Sequence, residues 1–210
     1  GFKRLYKGEV VGEVLTKLGQ TDYAAEIAQI RAMKPESVFF FLPGGMGINF
    51  IKQVTQSGLS NIRLFSPMTV DDRIIETLGD RSLSIMTTTM WNWDFDNPAS
   101  KKFVAAYQKK HSRTPTTYVA QGYDTARLIA SALRAVNGDM SRADDFRAAL
   151  KAARFESVRG AFAFANNNHP IQDWYVRSVV KGDDGKPAFK TQRVVMKSYK
   201  DPYGASCLMK

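Results

Sequence analysis

Apolar and polar residues recur along the chain with two different periods, and the switches between them mark the expected elements. Residues 8–16 carry β-branched side chains in near alternation and predict a strand, closed by a turn at Gly19. Thr21 or Asp22 then caps a helix whose Tyr23, Ile27 and Ile30 fall at i, i+4 and i+7, one apolar stripe facing a sheet. Pro35 ends it. Ser37 to Leu42 is an unbroken apolar run, the pattern of a central parallel strand covered on both faces. The turn PGGMG at 43–47 leads into an amphipathic helix with Ile48, Ile51 and Val54, stopped at Gly58.

The same strand–loop–helix unit follows again, with a strand at 62–66, a loop from Pro67 to Asp72 and a helix from Arg73 to Leu78. Alternation at this spacing predicts a parallel sheet with ligands bound at the carboxyl ends of its strands. Leu83 to Trp91 predicts a further strand. Three helices come next, from Asn97-Pro98 to His111, from Tyr118 to about Val136, and from Asp144 to Ala153. The end is β: strands at 160–164, 174–180 and 192–196, with Gly182-Asp183-Asp184-Gly185 as a hairpin turn.

Composition narrows the chemistry. The 210 residues are 44% hydrophobic and 24% charged, ordinary for a globular chain, and no apolar run reaches the ~18 residues of a membrane span. The net charge of +10 raises nucleic acid as a partner, but basic pairs such as Lys101-Lys102 alternate with acids and no nucleic-acid motif appears. No nucleic acid is expected; a solvated basic face that steers anions fits better. His111 and His169 lie far apart without clustered ligands, so neither metal nor cofactor is expected. The one cysteine, Cys207, is either a tail residue or paired to sequence outside the chain. No Gly-x-Ser-x-Gly elbow, Walker lysine or Gly-x-Gly-x-x-Gly occurs, and no acidic pair stands out as acid and base, so the chain does not read as an enzyme.

The string TDYAAEIAQIRAMKPESVFFFLPGG at 21–45 resembles the second lobe of type I periplasmic solute-binding proteins of the leucine/isoleucine/valine-binding family, near their aromatic-acid-binding subgroup. Residues 96–133, residues 157–176 and the closing hairpin resemble later parts of that family in the same order. The resemblance implies an α/β fold of two doubly wound lobes joined by three hinge strands. It also implies that the first lobe is incomplete here, about the first 150 family residues being absent. On this mapping residues 1–90 and 168–200 form the second lobe, 93–166 return to the first, 201–210 are a tail, and Trp91 and Asn92 sit at a hinge crossing.

The function implied is that of a receptor for an ABC importer, periplasmic, which closes on a small carboxylic acid and presents it to a membrane permease. The alternative is a ligand-sensing domain of a receptor or regulator built on the same lobes. Six ligand-facing residues are expected: Gly44, Gly45 and Met46 in the loop after the SVFFFL strand, Met68, Trp91 at the crossing, and Tyr118 as an aromatic closing over the ligand. Amino-acid receptors of the family place a glutamate at the position of Met68 to pair the ligand's ammonium. An apolar residue there would leave a buried ammonium unpaired, so the site suits an aromatic or hydrophobic acid without an amine. Tyr123 and Asp124 are expected to serve helix packing. The helices at 97–153 would expose apolar stripes, covered either by self-association or by an N-terminal piece.

Overall fold

The structure is a computed structural model that describes residues 2–59, 61–67 and 69–208. The chain divides into two compact units, Gly1–Thr87 with Val179–Ala188, and Thr88–Ser178 with Phe189–Lys210. It therefore crosses from one unit to the other three times, after residues 87, 178 and 188.

The first unit opens on a short helix, α1 (Phe2–Leu5), and an extended segment without regular structure up to α2 (Ala24–Met33). The strand expected at 8–16 is not formed. A strand is held by a neighbour's backbone groups, and no ladder reaches these residues, whose Val10, Val11 and Leu15 are exposed. On α2 the apolar stripe is as the spacing predicts: Tyr23, Ile27 and Ile30 are buried. Lys34, in the left-handed region at φ 50°, ends the helix just before Pro35.

β1 (Ser37–Phe39) pairs in parallel with β2 (Arg63–Pro67), Val38 opposite Leu64, and β3 (Met86–Thr89) comes next in the order β1-β2-β3. β1 is thus an edge strand of three residues and not the fully covered central strand that its apolar run suggests. One of its side chains shows why the pattern misleads: Phe39 is 45% exposed, and Phe41, just beyond the strand, 65%. The buried face is closed by α3 (Gly45–Gln56) and α4 (Asp72–Leu78), with Phe50 of α3 packed edge-on to Tyr23 and against Phe40. Asp71 caps α4 by accepting from Arg73 N and Ile74 N, both at 2.9 Å. The tip of the final hairpin belongs to this unit too, Val179 exchanging backbone hydrogen bonds of 2.9 Å with Ser84 and Ile85.

The second unit holds α5 (Pro98–His111), α6 (Thr117–Ala135) and α7 (Ala143–Ala152). Its β part comprises β4 (Ala163–Phe164) and most of β5 (Pro170–Lys181) and β6 (Pro187–Tyr199). β4 pairs antiparallel with β5, Ala163 opposite Ile171. Asn97 starts α5, its Oδ1 accepting from Ser100 N at 2.7 Å while its Nδ2 donates to Val158 O at 3.1 Å, and Pro98 occupies the first turn where a missing N–H costs nothing. The core of this unit is Trp91 with Phe95 and Phe103.

Candidate functional site

The turn between β1 and α3 is built around backbone freedom. Gly44 has φ 59° and ψ −128°, a combination that side chains strain to adopt, and it stands at the N-cap of α3 without a side-chain cap. Gly44 and Gly45 are both exposed. The helix therefore starts with backbone N–H groups at an open surface, where its positive end favours an anion such as a carboxylate. Two residues on, Gly47 has no room for a side chain: a Cβ would stand 2.6 Å from Leu42 O and 3.1 Å from Thr69 Cγ2. Pattern reading missed Gly47, since a steric ceiling is not visible in a string; the only trace is the third glycine of PGGMG.

Met46 is buried, and its sulfur accepts a hydrogen bond from Gly19 N at 3.4 Å. In this structure its side chain locks the 17–20 turn onto α3. Its backbone N–H, one residue into the helix, stays part of the α3 start. Met68 lies outside the described residues.

In the second unit the expected residues separate. Tyr118, in the first turn of α6, is 52% exposed and can offer its ring to a ligand. Trp91 cannot. It is 1% exposed, its indole N–H donates to Ser100 Oγ at 2.9 Å, and Phe103 meets its ring edge-on at 5.7 Å, so it is a core residue here. The expectation of a ligand-facing Trp91 came from its place at the crossing; its apolar bulk and N–H are satisfied by the unit's own interior.

Asp124 does the packing work expected of it through polar bonds. Fully buried on α6, it accepts from Ser157 Oγ (2.6 Å), Val158 N (3.0 Å) and Arg159 Nε (3.0 Å). Arg159 continues to Gln172 Oε1 at 2.8 Å and covers the Phe162 ring. This network pins the turn before β4 to α6. Two grooves of the first unit, one of about 380 Å³ between α2 and α3 beside Arg31 and Gln53 and another of about 260 Å³ beside Arg63 and Asp80, include none of the five expected residues that the structure describes. Among the described residues no group of three or more His, Cys, Asp or Glu could hold a metal, and no helix is long and apolar enough to cross a membrane.

Comparison with known proteins places these features in a family. The profile described as "periplasmic binding protein" matches residues 2–186. A solute-binding protein of an R. palustris ABC transporter, solved in complex with benzoate, is 28% identical with a TM-score of 0.82 over 93% of this chain and 53% of its own. A second, from Rhodopseudomonas palustris BisB5 in complex with 3,4-dihydroxybenzoic acid, is 31% identical with a TM-score of 0.73 over 86% of this chain and 50% of its own. A leucine-binding protein from Thermotoga maritima, at 21% identity and a TM-score of 0.75 over 87% of this chain and 51% of its own, shares the fold. The chain spans about half the length of these solved relatives. No curated protein matches it.

Proposed function

The chain belongs to the periplasmic binding protein family, and from that premise we propose that it is part of a solute-binding protein of an ABC importer whose ligand is an aromatic carboxylate. The observation that carries this reading is the likeness, at 28% and 31% identity, to solute-binding proteins holding benzoate and 3,4-dihydroxybenzoic acid. The α3 start supports it, since exposed N–H groups at Gly44 and Gly45 suit a carboxylate. So does the sequence at Met68, where an apolar residue disfavours an α-ammonium.

On this reading one lobe is Gly1–Thr87 with Val179–Ala188 and the other is built on Thr88–Ser178 with Phe189–Lys210, so 168–178 and 189–200 move from the expected grouping with 1–90 to the grouping with 93–166. Gly44, Gly45 and Tyr118 are ligand-facing residues, and the ligand is delivered in the periplasm to a membrane permease. The exposed Ile129 on α6 is where a second copy or an N-terminal piece would pack.

A thermal-shift panel tests the ligand class. Benzoate, 4-hydroxybenzoate and 3,4-dihydroxybenzoate should raise the unfolding temperature of the purified protein while leucine and phenylalanine leave it unchanged, because binding to the native state stabilises it by mass action. Stabilisation by leucine alone would contradict the aromatic assignment and keep the family.

A further inference from the structure

Arginine is almost never fully buried unless its guanidinium is held on several sides, and Arg177 is 3% exposed in the second unit. Its Nη1 donates to Asn92 Oδ1 at 3.1 Å and to Thr117 Oγ1 at 3.4 Å, and its guanidinium lies 3.6 Å from the centroid of the Phe189 ring. The positions of these partners along the chain are what make the contact informative. Asn92 is the fifth residue after the first crossing, Arg177 is the last residue but one before the second, and Phe189 is the first residue after the third. One planar cation thus touches the second-unit end of every connection between the units.

The surrounding bonds extend the same pattern. Asn92 Nδ2 donates to Asp94 Oδ1 at 2.7 Å, so its amide relays between a carboxylate and the guanidinium. Asp94 in turn accepts from Thr191 N at 2.8 Å and Thr191 Oγ1 at 2.6 Å, tying 92–94 to β6. Thr117, which accepts from Arg177, also donates to Trp91 O at 3.4 Å, and the next residue is Tyr118.

We propose that Arg177 is a clasp: it binds the second-unit ends of the three connections into one block and thereby fixes the first turn of α6, positioning Tyr118. The role for Tyr118 rests on the ligand reading above; the clasp itself does not. The geometry requires a cation whose one nitrogen donates to two acceptors while a flat face stacks on Phe189. Lysine keeps the charge and can still donate, but it lacks the planar face that stacks on Phe189.

The test is hydrogen exchange on the intact protein, with Arg177→Lys and the milder Thr117→Val as variants, read together with 4-hydroxybenzoate affinity. In Arg177→Lys, amide protection in 88–95, 174–178 and 189–193 should fall together by about tenfold while α7 is unchanged, the scale of a lost desolvated cation–π contact. Thr117→Val should loosen 88–95 and 117–120 to a smaller degree. Loss confined to 174–178, or loss spread evenly over the whole unit, would overturn the clasp. If the wild type binds 4-hydroxybenzoate, Arg177→Lys should bind about tenfold more weakly; unchanged affinity alongside loosened crossings would overturn the positioning of Tyr118. If the wild type does not bind it, the ligand reading fails and exchange alone decides the clasp.

Discussion

Three glycines in five residues make the turn after β1, and they are not equivalent. Gly44 holds a backbone conformation that strains other residues, so Gly44→Ala should cost about 1–3 kcal/mol. Gly47 has an ordinary helical backbone but no space, and Gly47→Ala should cost a similar ~1–3 kcal/mol by pushing Leu42 and Thr69 apart. Urea unfolding of both variants checks this, and a neutral Gly47→Ala would show that the helix start slides freely. Asp124 carries more. Asp124→Ala would strand Arg159, whose side chain is only 11% exposed, and should destabilise the second unit by about 3–5 kcal/mol. At Met68, the resemblance leads to a swap in preference: Met68→Glu should weaken benzoate binding and bring in α-amino acids, and retention of benzoate with no gain for leucine would sink that argument. Two tyrosines set the alkaline behaviour. Burial, then Glu26, raises the pKa of Tyr23, and burial, then Asp173, raises that of Tyr175. Each neutral phenol is therefore favoured by the native state. Stability should be full below about pH 10, the unfolded value, and fall as pH rises through the folded ones, which urea unfolding with phenolate absorbance from pH 8 to 11 would follow. A flat profile would contradict it.

Helices were the most legible elements because each carries its own signals. The helix start at Asn97 and the stripe of Tyr23, Ile27 and Ile30 were visible in sequence, and the structure uses them, whereas α4 starts one residue earlier than expected, with Asp71 as its cap. Asn97→Ala should cost about 1–2 kcal/mol, since it removes both the cap of α5 and the bond to Val158. Thermal unfolding would read the difference, and an Asn97→Asp that restores stability would separate the cap from the tie. Strands were less legible, for they depend on partners elsewhere. The alternation at 8–16 finds no ladder, and the run at 37–42 suggests a covered strand although it forms an edge whose Phe39 is exposed. The exposed start of α3 at Gly44 and Gly45 was readable from the turn itself, whereas the burial of Trp91 and the Arg177 cluster depend on which distant residues the fold brings near.

At the scale of the whole molecule, two compact units, a family profile over residues 2–186 and solved relatives at TM-scores up to 0.82 agree on a type I periplasmic binding protein fold. In the sequence the alternation of strand and helix pointed to an α/β chain with a parallel sheet, and the strings at 21–45 and 96–133 carried the resemblance that implies the two-lobed fold. Ligand choice is set by single side chains, such as that at position 68, which strings of this kind do not single out. Calorimetric titration of 4-hydroxybenzoate against leucine tests it most directly. The account predicts saturable binding of the aromatic acid, about one per chain, with no heat from leucine; saturable binding of leucine with none of the aromatic acid would contradict it.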